Sequence, residues 1–184
     1  GATKNDVFFG CGSWATIANN NVAISSDGVS WGAATASPAG ALSKLACDPL
    51  SGRFVIAGNV APRVWFSTDA GDNWNNATTT LPNARRLVIY QPATVAARTF
   101  VTAGDNNAVE SSADGDTWAG LSTAPNTNYA DFVRSSETGT LLLIGGTGGG
   151  GWIERSTDEG QNWTNVFTGT SPLDGGAFAV VDQP

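Results

Sequence analysis

The sequence contains no histidine and no methionine, and only two of its 184 residues are cysteine. The lack of histidine excludes the Ser-His-Asp and Cys-His arrangements of nucleophilic enzymes, together with the commonest metal ligand of proteins. Because even an initiator methionine is missing, we expect a chain that is processed or cut from a longer one. We assign no catalytic residue, no metal site and no cofactor.

Basic residues are also few, since 9 Lys and Arg stand against 16 Asp and Glu and give a formal net charge of −7. Such a charge repels a phosphate backbone, so we expect no nucleic-acid partner. No apolar run approaches the roughly 20 residues that span a bilayer, and no basic and apolar leader opens the sequence. We expect a soluble protein without membrane insertion, or a mature one whose leader has been removed.

The two cysteines, Cys11 and Cys47, are too few for a disulfide scaffold and lack the spacing of metal ligands. Two interpretations stay open. They are small buried side chains in strands, or they form a disulfide that joins neighbouring strands.

Four copies of one short motif recur along the sequence. Each copy contains a serine, an aspartate, a glycine and a tryptophan: Ser25, Asp27, Gly28 and Trp31; Ser67, Asp69, Gly71 and Trp74; Ser112, Asp114, Gly115 and Trp118; Ser156, Asp158, Gly160 and Trp163. The tryptophans are spaced 43, 44 and 45 residues apart. A near-constant period of this length is the signature of a repeat architecture.

The motif has the composition of a tight turn. Its aspartate and serine can accept hydrogen bonds from nearby backbone amides, and its glycine adopts a left-handed conformation at little steric cost. The tryptophan is expected to pack between adjacent sheets. We therefore interpret the motif residues as structural. Calcium binding at residues 69–72 or 114–116 is the alternative, although neither segment has the full ligand spacing of a calcium loop.

Short apolar or β-branched runs repeat in phase with the motif and are typical of strands. One family lies at residues 8–12, 54–58, 100–104 and 142–146, a second leads into each motif serine, and a third follows each motif tryptophan. A fourth lies at residues 44–49, 87–92, 129–136 and 179–184. Four strands in each of four families predict an all-β fold, a β-propeller with four blades of four antiparallel strands.

We expect one domain over residues 1–184, with blade repeats at about 7–41, 42–84, 85–126 and 127–171. In this prediction the chain starts in the second strand of a blade and ends after a first strand. The closing strand at 177–184 would then pair with the N-terminal blade at residues 7–12 and leave no open edge. The alternative is that the chain forms part of a larger ring, completed by another copy or by deleted sequence.

The motif patterns S-x-D-G-x-[ST]-W and S-x-D-x-G-x-x-W resemble the Asp-box, or BNR repeat, of sialidases and other β-propellers. This resemblance implies a bacterial surface protein or a phage tail or fibre protein, and hence an extracellular, cell-surface or virion-surface location. Resemblance to the sialidases would also imply three arginines that bind a carboxylate, a tyrosine paired with a glutamate as nucleophile, an aspartate as acid/base and an Arg-Ile-Pro signature. This sequence lacks Arg-Ile-Pro, and near the inner strands it offers only Arg85, Arg86 and Arg134, with Tyr90 and Tyr129.

Carboxylate catalysis needs two acidic side chains that face each other across a cleft. Asp48, Asp131 and Asp182 lie on the predicted inner strands, where they would face the ring axis or simply be solvated at strand ends. A glycoside hydrolase of sialidase type is therefore one alternative function. The glycine run at 145–151 lacks the Lys-Ser/Thr of a phosphate loop and is interpreted as a hairpin loop beside a ligand-facing rim.

Three tryptophans lie outside the motif, in or beside equivalent loops of their repeats. We take Trp14, Trp65 and Trp152, with Arg134 and Asp131, as the candidate ligand-binding residues, since exposed aromatic faces on a rigid scaffold suit sugars or protein surfaces. The alternative is that these tryptophans pack under the loops. The leading hypothesis is a non-catalytic recognition, adhesion or assembly module whose partner is a glycan or a protein surface, within a larger assembly. A purely structural subunit is a further alternative.

Overall fold

The computed structural model describes residues 6–18, 21–81, 85–90, 99–135, 137–147 and 149–173. Within these residues the chain forms four separate four-stranded antiparallel sheets, with a 3₁₀ turn at Asp105–Asn107. In that part of the chain, no helix has the length and apolar character needed to cross a membrane.

Each sheet is a meander, because its four strands are neighbours in the same order as in the sequence. We call the sheets blades 1 to 4. Blade 1 contains β1 (Asp6–Gly10), β2 (Ser13–Ala18), β3 (Asn21–Ser25) and β4 (Gly32–Ala33); blade 2 contains β5 (Leu42–Asp48), β6 (Arg53–Gly58), β7 (Val64–Ser67) and β8 (Asn75–Asn76); blade 3 contains β9 (Arg85–Tyr90), β10 (Phe100–Gly104), β11 (Ala108–Ser112) and β12 (Ala119–Thr123); blade 4 contains β13 (Tyr129–Arg134), β14 (Leu141–Thr147), β15 (Gly150–Ser156) and β16 (Thr164–Gly169).

Consecutive blades pack face to face, with their first strands side by side at the centre. Three clusters of buried apolar side chains fill the spaces between blades 1 and 2, between blades 2 and 3, and between blades 3 and 4. Each cluster contains one buried phenylalanine, Phe54, Phe100 or Phe132, and each of these is at most 1% exposed. Radial repetition of four-stranded sheets defines a β-propeller. The predicted all-β fold with four blades is confirmed.

The four motif copies form turns with one hydrogen-bond pattern, and we call them repeat turns (residues 25–31, 67–74, 112–118 and 156–163). In the second turn the Ser67 hydroxyl donates to Asp69 Oδ1 and accepts the Gly71 amide, at 2.7 and 3.0 Å. Asp69 also accepts the Asn73 amide, and the Trp74 indole N–H donates to the Gly71 carbonyl. The carboxylate satisfies backbone donors inside the turn, which lets the tryptophan ring pack inward.

Each repeat turn from the second to the fourth docks on the blade before it. The Trp74 amide donates to the Ala36 carbonyl of blade 1, and the Trp118 amide donates to the Thr79 hydroxyl of blade 2. In the fourth turn, the Trp163 indole donates to the Ser122 hydroxyl of blade 3. We call the segments that accept these hydrogen bonds outer segments. Each lies at the end of the fourth strand of its blade or follows that strand. Each of these repeat turns therefore connects two strands within its own blade and also contacts the preceding blade.

The first hairpin differs from the prediction. Residues 8–12 were assigned to a second strand, whereas β1 is the first strand of blade 1 and pairs with β2. The hairpin turn has positive φ at both central residues, 54° at Cys11 and 77° at Gly12, which is the pattern of a type I′ turn. The run at residues 8–12 ends in glycine, as the second strands of the other repeats do, and this similarity led to the wrong assignment. The second strand of blade 1, β2, was not predicted.

Blade 1 therefore has four strands of its own, all N-terminal. The predicted closing strand at residues 177–184 lies outside the described residues. Its pairing with the N-terminal blade stays a prediction.

The structure decides between the two interpretations of the cysteines. Cys11 and Cys47 form a disulfide, with Cα atoms 6.2 Å apart and 36 residues apart in sequence. Cys11 lies in the first hairpin turn and Cys47 on β5, beside the apolar cluster between blades 1 and 2. The bond therefore fixes blade 1 to blade 2 covalently.

Removal of the disulfide is expected to lower the free energy of unfolding by about 3–4 kcal/mol, because the closed loop restricts the unfolded chain. Urea unfolding of the wild type with and without a thiol reductant measures this difference. The double variant Cys11→Ser/Cys47→Ser should match the reduced wild type and be insensitive to reductant. A loss below about 1 kcal/mol would contradict the expectation.

The repeat-turn aspartates are expected to make stability depend on acidic pH. Hydrogen bonds from the Ser30 and Val29 amides lower the pKa of Asp27, and the Asn73 amide lowers that of Asp69. Because each folded pKa lies below the unfolded value of about 3.9, the stabilisation is present above that pH and is lost as pH falls through the folded values. Urea midpoints for Asp69→Asn should show a weaker acid dependence than the wild type. The exposed Glu137→Gln variant is the control, and equal acid slopes for all three proteins would refute this assignment.

Candidate functional site

The centre of the propeller is occupied by charged side chains from three inner strands. Asp6, Lys44 and Asp131 take corresponding register positions on β1, β5 and β13. The Lys44 ammonium forms an ion pair with Asp131, whose side chain is only 6% exposed. Asp6 accepts the Leu45 amide; burial raises the pKa of Asp6, and the nearby Lys44 charge partly offsets that rise. Asp131 is thus held by a cation at the axis.

The other axial candidates do not join this group. Asp48 accepts the Leu50 and Ser51 amides and so caps the β5–β6 turn, which agrees with its interpretation as a strand-end residue. The Arg134 guanidinium lies near Gly139, beside the β13–β14 turn, and Arg134 alternates with Asp131 along β13 so that the two point to opposite faces. Asp182 and the side chains of Arg85, Arg86 and Tyr90 lie outside the described residues.

The three tryptophans outside the repeat turns occupy three different positions, not equivalent ones. Trp14 pairs with the turn serine Ser25, whereas Trp65 lies two residues before Ser67 and Trp152 four residues before its turn serine. Trp65 is 2% exposed and Trp152 is 8% exposed, while Trp14 is partly exposed. The expected rim of exposed rings is therefore wrong for Trp65 and Trp152, because Trp65 packs in the cluster between blades 1 and 2 and Trp152 is buried in blade 4. Their role in ligand binding stays a prediction.

A buried acid lies inside blade 4. Glu154 is fully buried, and its Oε1 accepts the Asn126 side-chain amide at 2.7 Å. The Tyr129 hydroxyl donates to Glu154 Oε2 at 3.3 Å and to the Asn126 carbonyl. Burial raises the pKa of Glu154 and, together with the Glu154 charge, that of Tyr129. This tyrosine–glutamate pair is shielded from solvent, and the raised tyrosine pKa opposes formation of a phenolate nucleophile.

A cleft of about 310 Å³ lies beside Asn126, the hydrogen-bond partner of this acid. It is lined by Asn126, the indole of Trp152, Asn165 and Thr168, with the backbone of glycines 149–151 and Gly169. The side chains that line it are uncharged. Its volume falls at the lower end of small-molecule sites.

Glu154 fixes the orientation of the amide on the cleft wall. Because Asn126 Nδ2 donates to the buried carboxylate, Asn126 Oδ1 remains as an acceptor on the other side of the amide group. Elsewhere in the lining the Thr168 hydroxyl donates to Asn165 Oδ1, which leaves the Asn165 amide group as a donor. The Trp152 indole N–H is buried and has no hydrogen-bond partner among the described residues. The cleft thus presents matched donors and acceptors next to an aromatic side chain.

Sequence reasoning identified one wall of this cleft and missed the rest. Trp152 and the glycine run were singled out, whereas Asn126, Asn165 and Thr168 lie in segments that resemble ordinary loops and outer strands. The one usable signal was Glu154, an acid in the middle of a strand directly after the apolar Trp152 and Ile153. An acid at such a position needs a polar partner, and that partner is the amide of Asn126.

Comparisons with known proteins show the fold alone. No family model and no curated protein match the sequence. Among solved structures, YCF48 bound to D1 peptide is similar at 20% identity and a TM-score of 0.60, over 86% of this chain and 51% of that one. The GH74 enzyme of Niastella koreensis is similar at 19% identity and a TM-score of 0.67, over 88% and 24%. The WD40 propeller domain of Doa1 is similar at 12% identity and a TM-score of 0.59, over 91% and 55%. The chain thus spans about half of the YCF48 chain and a quarter of the GH74 chain, and it shares the β-propeller fold with them.

Glu154 is expected to give stability a pH dependence opposite in sign to that of the repeat turns. Its folded pKa is raised, so the contribution is fully present below the ordinary glutamate pKa of about 4.3 and is lost as pH rises through the folded value. Melting temperatures of Glu154→Gln from acidic to neutral pH should lack this decline, because glutamine keeps the Asn126 hydrogen bond without a charge. Parallel curves for Glu154→Gln and the wild type would contradict the assignment.

Proposed function

We propose that the chain is a non-catalytic recognition module of the Asp-box type that binds an uncharged saccharide in the blade 4 cleft. The observation that carries this proposal is the lining of that cleft, where a tryptophan, two asparagines and a threonine meet without a charged side chain. Sugar rings present hydroxyl groups around an apolar face, and this lining matches both features.

The Asp-box assignment is supported by the geometry that the four repeat turns share. In each turn the serine hydroxyl contacts the aspartate, the aspartate accepts a later amide, and the tryptophan indole donates to the glycine carbonyl. All four aspartates have lowered pKa values, which is consistent with a carboxylate that acts inside a turn. The carboxylates therefore act in the scaffold and not on a ligand.

The disulfide supports the extracellular, cell-surface or virion-surface location that we propose for this module. The Cys11–Cys47 bond uses both cysteines of the chain. Disulfides of this structural kind persist outside the reducing cytosol. A surface location is also where glycans are encountered.

The glycoside hydrolase alternative has less support from the same geometry. Hydrolysis needs two carboxylates across a cleft. Asp131 is in an ion pair with Lys44, Asp48 caps a turn, and Glu154 lies below the cleft with its carboxylate held by Asn126. The similarity to a GH74 enzyme therefore supports the scaffold and not a matching site.

A protein partner is the second candidate, and one observation favours it. The outer strand β16 is exposed along its length, and an exposed sheet edge can pair with an extended peptide. YCF48, which has a similar fold, is described in complex with a peptide. A peptide on β16 would pass directly beside Thr168 and the cleft.

A glycan array that contains both neutral and sialylated glycans tests the proposal. We expect binding to neutral glycans, and we expect Asn165→Ala and Thr168→Val each to weaken it about 10-fold, since one hydrogen bond is lost in each. Asn76→Ala is the matched control, because it changes an exposed asparagine on the outer strand of blade 2. Trp65 and Trp152 are poor test positions because their removal would leave cavities.

Several outcomes would contradict the saccharide assignment. Preference for sialylated glycans would conflict with the uncharged lining. Neutral binding that is unchanged in both cleft variants would move the site elsewhere. A peptide array that gives signal where the glycan array gives none would favour the protein partner.

A further inference from the structure

The first repeat turn differs from the other three in its exposure. Trp31 is 41% exposed, whereas Trp74 is 8% and Trp118 is 5% exposed. The later turns dock on the outer segment of the preceding blade, and Gly71 lies against Ile24 of blade 1 in the same way. In the first turn, Val29 is 83% exposed. The first turn therefore has the same internal hydrogen bonds as the three docked turns, but its surface is exposed.

The sheet face beside this turn is uncovered as well. In each blade the second-strand residue paired with the turn serine packs toward the preceding blade: Phe54, Phe100 and Leu141 are each 0% exposed. Trp14 has the same register position in blade 1 and is partly exposed. Trp14 is thus an interface residue whose interface is not filled by the described residues.

Two further apolar side chains extend this surface. Val7 is 60% exposed and Phe9 is 57% exposed, and they alternate with Phe8, which packs toward blade 2. The Phe9 and Trp14 rings are in contact, with centroids 4.7 Å apart and ring planes tilted by 48°. We call the surface of Val7, Phe9, Trp14 and Trp31 the blade 1 face.

Blade 4 has a complementary surface. Phe167 is 45% exposed and Val166 is 51% exposed, and Phe167 lies four residues beyond Trp163, as the acceptor Ser122 lies four residues beyond Trp118. Phe167 pairs with Ile153, which is partly exposed on the side away from the buried Leu143. We call the surface of Ile153, Val166 and Phe167 the blade 4 face. It lies on the side of blade 4 opposite to the cleft.

We propose that the blade 1 face binds the blade 4 face of a second copy of this chain, head to tail. The contact repeats an interface that the chain already forms three times, between blades 1 and 2, 2 and 3, and 3 and 4. The chain carries both halves of that interface, and both halves are exposed in the same molecule. Joining unlike faces in this way is a heterologous association.

A single added strand does not satisfy the blade 1 face. From Phe9 on β1 to Trp31 beside β4 the surface crosses three strand spacings, about 14 Å. A strand paired edge to edge with β1 would extend the sheet without covering this face, and it would supply no outer segment for the first repeat turn. A complete blade supplies both, which is why we assign a second copy.

Sedimentation velocity over a range of concentrations tests the proposal, with Phe9→Asp as the blade 1 variant and Phe167→Asp as the blade 4 variant. We expect the wild type to associate, and each variant to weaken association at least ~100-fold, because an unpaired carboxylate would be buried in the contact. Leu50→Asp is the matched control, since Leu50 is 89% exposed on the β5–β6 turn. Circular dichroism confirms that each variant is folded.

Mixing the two variants separates head-to-tail contact from every symmetric alternative. Phe9→Asp keeps an intact blade 4 face and Phe167→Asp keeps an intact blade 1 face, so an equimolar mixture should form a one-to-one complex that neither variant forms alone. A wild type that stays at the mass of one chain at all concentrations overturns the proposal. So does an association that both variants leave unchanged, or a mixture that fails to associate.

Discussion

The docking of each repeat turn on the preceding blade is the contact on which the rest of the structure depends. The turn buries a tryptophan only because an aspartate satisfies the backbone donors beside it, as Asp69 does for Trp74. An unsatisfied amide in such a place would oppose burial of the ring. One short motif thus fixes the hairpin within a blade and the angle to its neighbour, and repetition of the motif produces the propeller.

The same dependence explains what could be predicted from the sequence. The motif spacing predicts four blades because each turn residue has a local role that its type reveals. The first hairpin was not predictable in this way. The glycine after Cys11 belongs to a type I′ turn, but in the sequence it resembles the glycine that ends a second strand. The Lys44–Asp131 pair was also missed, because it joins two blades 87 residues apart in sequence. Trp14, Trp65 and Trp152 looked equivalent by position, and only strand register separates them.

The candidate binding site lies where blade 4 departs from the repeat. Strands β14 and β15 are each seven residues long, so Trp152 and its partner Gly145 extend beyond the register that the four blades share. A side chain added at Gly145 would approach the Asn128 carbonyl to 2.5 Å, which explains why glycine is needed there. The longer hairpin brings Trp152 under the loop that carries Asn126. A local departure from the repeat therefore creates a cleft without disturbing the blade contacts.

The two faces of blade 4 carry different surfaces. Glu154, Trp152 and the cleft belong to the side that packs toward blade 3, while Ile153 and Phe167 lie on the opposite side. Alternation along β15 enforces this separation, because neighbouring side chains of a strand point to opposite faces. A ligand in the cleft would leave the outward face free, and a copy docked on that face would leave the cleft open. Recognition and assembly are therefore compatible within one blade, and a rigid sheet holds both surfaces in a fixed relation.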